Sequence, residues 1–481
     1  MIKIIHSESF KYTIGITLVA TLGGFLFGYD TAVISGTVGS LEHFFIEPYG
    51  LTETAANSLL GLVVSSALFG CIIGGLSGGY ISLKLGRKRG LILAALLFLV
   101  SAIGSSMPEL FFTPIGKGDH TIVTAFIIYR IIGGIGVGLA SMLSPMYIAE
   151  IAPANIRGKL VSWNQFAINL GLVVVYFVNY YISLQGNDTW LNSIGWRWMF
   201  ASATIPSAIF LMLLFFIPET PRFLVIKNKP ETALDILTRI NGKKKAEEVL
   251  EEIRATLGQK SGKLLSYGFL IILIGILLSV FQQFVGINSV IYYAPEIFKN
   301  MGSNTDTALL QTAIVGAINI SFTVLAIMTV DKFGRKPLMI IGALGMAFFM
   351  IAFGTACKLN NNGIVALLLI LGYIACFAMS WGPVTWVLLS EIFPNRIRGK
   401  AMAVTVAIQW VANYLVSSTF PMMDKSSFLI RHFNHGFSFW VYGVMSILAA
   451  LFIWKLVPET KGKTLEEMEK LCEQPVAWRK G

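Results

Sequence analysis

The chain has 481 residues, of which 55% are hydrophobic and only 13% are charged. Soluble domains carry about 25% charged residues, so this composition excludes an ordinary soluble protein and predicts a membrane protein built of α-helices. The net charge of +11 would suit a nucleic-acid-binding protein. The basic residues, however, are concentrated in alternate loops between apolar segments, which argues against nucleic acid and favours a lipid bilayer as the partner.

A membrane-spanning helix needs about 20 predominantly apolar residues. Basic residues follow the second, fourth, eighth and tenth apolar segments, whereas the loops 42–53, 108–120 and 358–363 together contain only Lys117 and Lys358. This asymmetry predicts a multi-pass protein of the cell membrane (the inner membrane if the host is Gram-negative) with both termini in the cytoplasm. Twelve segments are predicted to span: 13–41, 54–82, 90–107, 121–150, 159–184, 197–217, 264–296, 307–331, 337–357, 364–392, 400–421 and 437–456.

The sequence repeats itself. Three motifs occur in the same order in each half: GRK at 86–88 and 334–336, EIAPANIRG at 150–158 with EIFPNRIRG at 391–399, and PET at 218–220 and 458–460. We therefore predict four parts: an N-terminal six-helix half at 1–217, a cytoplasmic helical linker at 218–263, a C-terminal six-helix half at 264–456 and a cytoplasmic tail at 457–481. Two matched halves imply a cavity between them near the membrane midplane, which opens to each side in turn.

Two charges lie deep inside the predicted spans. Asp30 is the only carboxylate well inside a span, and Arg130 is the only deeply placed cation. A charge at the bilayer centre costs about 2.5–3.5 kcal/mol on insertion scales, so the two are expected to neutralise one another. Two interpretations are open: a static ion pair that specifies packing, or a proton switch in which the distance to Arg130 controls the protonation of Asp30.

The stretch LLSVFQQFVGINSVIYYAPE at 277–296 places polar side chains within an apolar segment. Amides at membrane depth must find partners, because hydrocarbon offers none. A hydrogen bond between helices explains any single amide equally well. As a set, these residues predict the wall of a wet cavity for a polyhydroxylated ligand such as a sugar. The set comprises Gln165, Gln282, Gln283, Asn288, Tyr292, Trp386, Gln409 and Trp410.

Charged residues at the predicted cytoplasmic ends of the spans form a candidate gate: Arg87, Glu150, Arg157, Glu219, Arg335, Glu391, Arg398 and Glu459. One surface ion pair contributes only about 0–1 kcal/mol, but several joined pairs would hold the cytoplasmic side shut and favour an outward-open state. The glycines at 133–138 and Pro145 are candidates for a role in gating, but close helix packing explains them at least equally well. The Gly382-Pro383 pair predicts a bend, because proline removes a backbone donor.

These motifs resemble those of the sugar porters of the major facilitator superfamily. The resemblance covers nearly the whole chain, and in SMLSPMYIAE at 141–150 and FPMMDKSS at 420–427 it comes closest to bacterial D-xylose–proton symporters. It implies twelve transmembrane helices in two pseudo-symmetric six-helix halves with a cytoplasmic helical linker. The matching pieces include GGFLFGYDTAVISG at 23–36, YRIIGGIGVG at 129–138, QQFVGINSVIYY at 282–293 and WGPVTWVLLSEIFPNRIRGKA at 381–401.

The resemblance also implies roles for particular residues. In the family, the acid at the position of Asp30 is the proton-coupling site, and uniporters tend to carry asparagine there. The implied sugar contacts are Gln165, Gln282, Gln283, Asn288, Trp386 and Gln409, with Phe27, Tyr292, Gly382 and Trp410 completing the wall. Leu172 departs from the pattern, since xylose porters can carry glutamine there and hexose facilitators carry an aliphatic residue. Glucose therefore remains an alternative to D-xylose.

We therefore predict a monomer that imports a monosaccharide, with D-xylose as the first candidate, together with protons by alternating access. A uniporter of the same fold is an alternative that differs only in coupling. A non-transporting sugar sensor is a third, although the 25 residues after Leu456 are too short for a signalling domain. The sequence has no nucleophile–base constellation and no CxxC pair among its four cysteines, so we predict no enzyme activity, cofactor, metal or disulfide.

Overall fold

A computed structural model describes residues 2–111, 113–114, 119–153, 156–257, 267–360, 363–394 and 397–461. The predicted tail beyond residue 461, with Cys472, lies outside these ranges, as do linker residues 258–263 and the expected start of the seventh span at 264–266. All regular elements in the described ranges are helices. Twelve helical segments there are long and apolar enough to cross a membrane: Ser9–Gly36, Glu53–Lys84, Arg87–Ser106, His120–Ile151, Leu160–Ser183, Asp188–Leu214, Phe269–Asn300, Thr305–Val330, Arg335–Lys358, Ile364–Leu389, Arg398–Asp424 and Phe437–Leu456.

The first six spans form the N-terminal half. Its second and fourth spans pack against each other, as do its first and fifth. An aromatic group consisting of Phe45, Phe126, Trp196 and Phe200 fills the end of this half at which the first span finishes. The helices are α1 (Ile2–Ala32), α2 (Val38–Leu41), α3 (Glu53–Lys84), α4 (Arg87–Ser106), α5 (Val123–Ile151), α6 (Arg157–Ser183), α7 (Asp188–Trp190), α8 (Trp196–Ser202) and α9 (Thr204–Leu214).

Glycines bring α3 and α5 into backbone contact. A Cβ atom on Gly134 would overlap the carbonyl of Ala67, and one on Gly138 would overlap the carbonyl of Cys71. Helix α5 continues without interruption through Pro145 to Ile151. The glycine run therefore serves close packing, which is how small residues stabilise helix pairs in membranes.

Three short helices connect the halves: α10 (Pro221–Ile226), α11 (Pro230–Asn241) and α12 (Lys243–Leu257). Helices α11 and α12 pack face to face through Ala233, Leu237, Ala246 and Leu250. These apolar residues recur with helical spacing in an otherwise charged segment, as the sequence pattern of the linker predicts. Helix α11 also contacts α1, so this small bundle lies against the first half.

The last six spans form the C-terminal half. The two halves meet along two long contacts, α3 with α19 and α6 with α15, which correspond under the internal repeat. The helices of this half are α13 (Phe269–Phe284), α14 (Ile287–Asn300), α15 (Thr305–Phe333), α16 (Arg335–Lys358), α17 (Ile364–Met379), α18 (Trp381–Ile392), α19 (Arg398–Asp424), α20 (Ser427–Phe433) and α21 (Phe437–Leu456).

Two spans of this half are broken inside the bundle. The seventh span divides into α13 and α14 at Gly286, which has a left-handed conformation with φ of +94°. The tenth span divides into α17 and α18 at Ser380, so the predicted bend is present just before Gly382-Pro383. Pro383 lies in the first turn of α18, where its missing N–H costs no helical hydrogen bond. Broken spans of this kind free backbone groups for a binding site.

The predicted edges of two spans were wrong. Helical structure of the sixth span begins at Asp188, nine residues before the predicted 197, because Asn187 caps it by accepting a hydrogen bond from Trp190 N. The first span ends at Gly36, not at 41, since the chain there passes through a 3₁₀ turn into the short helix α2. Because the number of spans is even, the first span begins and the last span ends at the same face of the bundle. We call it the GRK face, after residues 86–88 and 334–336, and the other the opposite face.

Candidate functional site

Asp30 on α1 and Arg130 on α5 form an ion pair inside the N-terminal half. Arg130 Nη1 lies 3.1 Å from Asp30 Oδ1, and the two side chains are 1% (Arg130) and 6% (Asp30) exposed. Arg130 Nη2 also donates to the main-chain oxygen of Asp30 at 3.2 Å. The guanidinium lies over the ring of Phe200, with Cζ 5.4 Å from the ring centroid, a placement that stabilises a cation. Asp30 Oδ2 has no hydrogen-bond partner among the described residues, so one carboxylate oxygen remains available to a proton.

Four amide side chains form a hydrogen-bonded cluster at the break of the seventh span. Asn288 Nδ2 donates to Gln283 Oε1 at 2.5 Å, and Gln283 Nε2 donates to Gln282 Oε1 at 3.4 Å. Gln409 on α19 donates to the same Gln282 oxygen. We call these residues the amide cluster. The structure therefore brings together predicted sugar-contacting residues from spans 7 and 11.

The broken tenth span contributes backbone groups to the same place. Gln282 Nε2 donates to the main-chain oxygens of Trp381 at 3.2 Å and Gly382 at 3.4 Å. Both oxygens belong to the first turn of α18, next to the break. Gln409 Oε1 is buried and lacks a partner within the described ranges, so the cluster retains an acceptor for a ligand hydroxyl. Trp386 lies one turn further along α18 and is half-buried.

An aromatic contact joins the halves beside this cluster. The rings of Phe27 on α1 and Trp410 on α19 lie 5.5 Å apart between centroids. Tyr292 is buried, and its hydroxyl accepts a hydrogen bond from Asn413 Nδ2 at 3.4 Å. Asp30 follows Phe27 by one helical turn, so the ion pair and the aromatic contact share one side of α1. The proton-binding candidate and the sugar-binding candidate are thus neighbours on the same helix.

The fifth span contributes one polar and one apolar residue. Gln165 is half-buried and makes no hydrogen bond to another described residue. Leu172, two turns further along α6, is 6% exposed and packs against α15, where a Cβ atom on Gly316 would lie 3.4 Å from Leu172 Cδ2. Asn169 between them donates to Thr323 Oγ1 on α15 at 2.9 Å. This face of α6 therefore contacts the C-terminal half.

The GRK face carries one network of charges in each half. In the first, Arg87 Nη2 lies 2.7 Å from Glu150 Oε1. Glu219 accepts hydrogen bonds from the backbone N–H groups of Arg87 at 3.0 Å and Lys88 at 3.1 Å. It thereby caps the start of α4, where unpaired N–H groups favour an anion. A Cβ atom on Gly86, whose φ is +94°, would collide with this carboxylate.

The second half repeats the network. Arg335 Nη2 lies 3.0 Å from Glu391 Oε1. Glu459 accepts hydrogen bonds from the backbone N–H groups of Arg335 at 3.1 Å and Lys336 at 3.0 Å. Gly334 has φ of +90°, close to the value at Gly86. The GRK and PET motifs are therefore joined in both halves by the same helix-capping contact.

Two members of the predicted gate are not part of these networks. Arg157 is exposed, and neither it nor Arg398 forms an ion pair within the described residues. Arg398 Nε donates to the main-chain oxygen of Phe393 at 3.2 Å, and its Nη2 is buried without a described partner. The recorded ion pairs of the gate set join elements of the same half, so this lattice does not bridge the halves in this structure.

Polar contacts at the opposite face do bridge the halves. Lys425 Nζ donates to Glu42, 383 residues away in the chain. Ser183 Oγ donates to Asp306 Oδ1 at 3.0 Å, which links the ends of α6 and α15. Among the described residues, polar side-chain contacts thus join the two halves at the opposite face, and the ion pairs of the gate set at the GRK face stay within one half.

Sequence reasoning missed three buried amides of the site region. Asn413 bonds Tyr292, Asn169 bonds Thr323, and Asn164 keeps its Oδ1 buried and without a described partner. Asn413 follows Gln409 by four residues, and the same helix face was the available signal. Asn164 precedes Gln165 directly, so no spacing rule favours one over the other.

The fold and site together define a membrane transport protein with two matched halves around a shared polar centre. A family model described as Sugar (and other) transporter matches residues 16–472. The chain belongs to this sugar transporter family, whose members are transporters and not enzymes.

Individual relatives agree with this assignment. The D-xylose-proton symporter of Escherichia coli (strain K12) is 63% identical over 473 residues, which cover 96% of each chain. The glucose facilitated diffusion protein of Zymomonas mobilis is 42% identical over 460 residues, covering 95% of this chain and 96% of that protein.

Solved structures agree as well. The partially occluded inward-open conformation of the xylose transporter XylE from E. coli has a TM-score of 0.87 at 60% identity, covering 94% of this chain and 100% of that one. The proton:xylose symporter XylE bound to 6-bromo-6-deoxy-D-glucose has a TM-score of 0.83 at 62% identity, covering 96% of this chain and 99% of that one. The predicted fold class, an all-α major facilitator fold, is thereby confirmed.

Proposed function

We propose that this protein imports D-xylose together with protons by alternating access. The observation that carries the proposal is the ion pair of Asp30 and Arg130, one helical turn from Phe27 and its contact with Trp410. A buried acid with one oxygen that has no partner among the described residues provides a proton site, and the adjacent amide cluster provides a sugar site. The 63% identity with a D-xylose-proton symporter supports this substrate and this coupling.

In this proposal, the sugar is held between the halves. Amides donate and accept hydrogen bonds, so the amide cluster can satisfy several hydroxyl groups at once. Gln165 has no described hydrogen bond and reaches the sugar from the other half. The aromatic faces of Trp386, Trp410 and Phe27 cover the apolar C–H groups of the ring, and Tyr292 and the backbone at Gly382 complete the wall.

The proton acts through Asp30. Burial disfavours the charged carboxylate, and the nearby guanidinium favours it. When α1 and α5 move apart, Arg130 neutralises the charge of Asp30 less well, and Asp30 takes up a proton instead. Phe200 stabilises the guanidinium meanwhile. Since α1 also carries Phe27, a bound sugar is in a position to bias this movement.

We further propose that the GRK face is cytoplasmic, because it carries the basic loops. The opposite face is closed by contacts between the halves, so the structure corresponds to an inward-facing arrangement. The match to an inward-open relative supports this assignment. Closing the GRK face would bring Arg157 and Arg398 towards acids of the other half. The protein would act as a monomer in the bilayer, with both termini in the cytoplasm.

Counterflow in proteoliposomes tests the substrate. Vesicles loaded with unlabelled D-xylose should accumulate labelled D-xylose, and labelled glucose should compete less well. Glucose is the second candidate, because Leu172 supplies no hydrogen bond and a 42% identical relative is a glucose facilitator. Equal or stronger counterflow of glucose would reassign the substrate.

A pH electrode separates symport from uniport. Adding D-xylose to lightly buffered cells or vesicles should make the external medium alkaline as protons enter with the sugar. Xylose uptake without alkalinisation would identify a uniporter of the same fold.

A further inference from the structure

The opposite face is held shut by charged contacts between the halves. Lys425 Nζ donates to Glu42, and each of these side chains is 25% exposed. Nearby, the carboxylate of Glu53 accepts hydrogen bonds from the backbone N–H of Ser427 at 2.6 Å and from the Ser427 hydroxyl. In both contacts the acid belongs to the N-terminal half and the donor to the segment 425–427. We call these two contacts the acid latch.

The C-terminal side of the latch is firmly mounted. Asp424, directly before Lys425, is buried and accepts hydrogen bonds from Asn300 Nδ2 at 3.0 Å and from the His435 ring at 3.2 Å. Asn300 is the last residue of α14, the outer part of the broken seventh span. The position of Lys425 is therefore tied to α14, which also carries Tyr292.

The N-terminal side is fixed as well. Glu42 begins the short turn Glu42–Ile46, whose Phe45 is fully buried against Trp196 at 5.6 Å between ring centroids. Ser40, two residues earlier, donates to Asn192 Oδ1 at 2.9 Å. Both residues of the ion pair belong to segments that are anchored by buried neighbours. Little backbone freedom is therefore lost when the pair forms. Such pre-ordered pairs contribute more than flexible ones.

The charge pairs at the two faces differ in what they connect. At the GRK face, the recorded pairs of Arg87 and Arg335 join elements within one half. At the opposite face, the pair of Glu42 and Lys425 joins the two halves. Opening the opposite face requires these contacts to separate, whereas opening the GRK face leaves its recorded pairs intact.

We propose that Glu42 and Lys425, supported by Glu53, act as a latch that stabilises the state closed at the opposite face and sets how often the protein reopens there. This role rests on the alternating access proposed above, in which that face is the external one. The latch residues take no part in binding sugar or proton. They determine the balance between the two states from which sugar is taken up and released.

The size of the effect follows from the exposure of the pair. Partly exposed ion pairs shift an equilibrium by about two- to fivefold. Substituting Glu42→Gln removes the charge and keeps the size of the side chain, so the ratio of open to closed at the opposite face should rise by about that factor. Adding Glu53→Gln to this variant should raise the ratio of open to closed further, since the Glu53 carboxylate makes separate contacts with Ser427.

The test uses the full chain in lipid nanodiscs. Nitroxide-bearing unnatural amino acids at the exposed positions Gln185 and Arg431, one in each half at the opposite face, report the distance between the halves. Electron–electron double resonance should show a larger long-distance population in Glu42→Gln than in the parent protein. The matched control is Glu47→Gln, because Glu47 is an acid of the same loop that pairs with His43 at 2.7 Å inside its own half. It should leave the distribution unchanged.

A charge exchange guards against a mere loss of folding. Glu42→Lys should open the opposite face, and the double variant Glu42→Lys with Lys425→Glu should restore the parental distribution. An unchanged distribution in Glu42→Gln, an equal shift in Glu47→Gln, or no restoration in the exchange variant would each overturn the latch. The distance measurement needs no substrate, so it is independent of the alkalinisation assay that tests the proposed function.

Discussion

Replacing Asp30 with asparagine tests the proton site directly. Asparagine keeps an oxygen for Arg130 Nη1, now 3.1 Å from Asp30 Oδ1, but it removes both the charge and the group that binds a proton. We expect Asp30→Asn to abolish sugar-driven proton uptake. Exchange of labelled for unlabelled xylose should continue, because the amide cluster is unchanged.

The geometry gives the scale of the switch. Unit charges 3.1 Å apart attract with about 5 kcal/mol at an effective dielectric constant of 20, and at about 6 Å this falls to roughly 3 kcal/mol. A difference of about 2.5 kcal/mol changes an equilibrium constant roughly 70-fold. A relative movement of α1 and α5 by a few ångströms is therefore enough to weaken the attraction between Asp30 and Arg130 by about half.

The substitution should also lower stability, and that effect needs its own control. Removing one member of a buried ion pair costs about 3–5 kcal/mol, since the other charge stays buried. Glu109→Gln is the matched control: the side chain of Glu109 is 1% exposed and forms an ion pair with Arg197 at 2.7 Å, a pair separate from that of Asp30 and Arg130. It should lower the melting temperature comparably and leave proton uptake coupled to xylose.

The assay records external pH and labelled xylose in the same proteoliposomes. The expected result is exchange without alkalinisation in Asp30→Asn and both signals in Glu109→Gln. Proton uptake at the parental ratio to xylose in Asp30→Asn would refute the assignment. Loss of alkalinisation in both variants would attribute the effect to instability, and it would contradict a specific role of Asp30.

Three further outcomes are expected. Gln409→Ala should weaken xylose binding about tenfold in equilibrium titrations, because losing a buried hydrogen-bonded amide costs about 1–3 kcal/mol and leaves Gln282 short of a partner; unchanged affinity would remove Gln409 from the sugar site. Arg398→Ala should shift spin-label distances at the GRK face towards the open state, and an unshifted distribution would exclude it from the gate. The hydrogen bond that the His435 ring donates to the Asp424 carboxylate raises the pKa of His435 above its ordinary value of 6.5, so the charged ring stabilises the fold fully below pH 6.5 and less as the pH rises through the raised value. The melting temperature of His435→Gln should accordingly fall below the parental value most at low pH, and a gap that does not vary with pH would contradict the contact.

Hydropathy predicted the spans well because lipid imposes a strong compositional signal. The larger of the two errors is the start of the sixth span, where the sequence DTWLNSIG is too polar for that signal and the helix depends instead on the cap provided by Asn187. The break at Gly286 depends on a positive φ, and the sequence does not give the sign of φ. The ring that packs against Gly286 belongs to Tyr442, which lies 156 residues away in the sequence.

The site was predictable where one helix carries several members. One apolar segment contains three amides close together in sequence, and this pattern indicated a site. These amides, Gln282, Gln283 and Asn288, do form one hydrogen-bonded cluster. Asn413 was missed, although it follows Gln409 by four residues and therefore lies on the same face of the helix. The pairing of Glu42 with Lys425 joins positions 383 residues apart, and a single sequence contains no information about such a pair.

The gate shows a different limit. Arg87 pairs with Glu150 and Arg335 pairs with Glu391, and in each pair both residues belong to the same half. Arg157 and Arg398 lack acidic partners in the described residues. A sequence is the same in every conformation, so it names the charges that can meet but not the state in which they do.

The left-handed turn at Gly286 has a consequence for the tolerance of this chain to change. Any side chain there would have to adopt a backbone conformation that L-residues rarely take, and its first carbon would run into the ring of Tyr442. That ring is itself tethered through its hydroxyl to Ser289, three residues beyond the turn. Saturation mutagenesis should thus find Gly286 as intolerant of substitution as the amides proposed to contact the ligand. A survey of loss-of-function variants would then wrongly count this backbone turn among the binding residues.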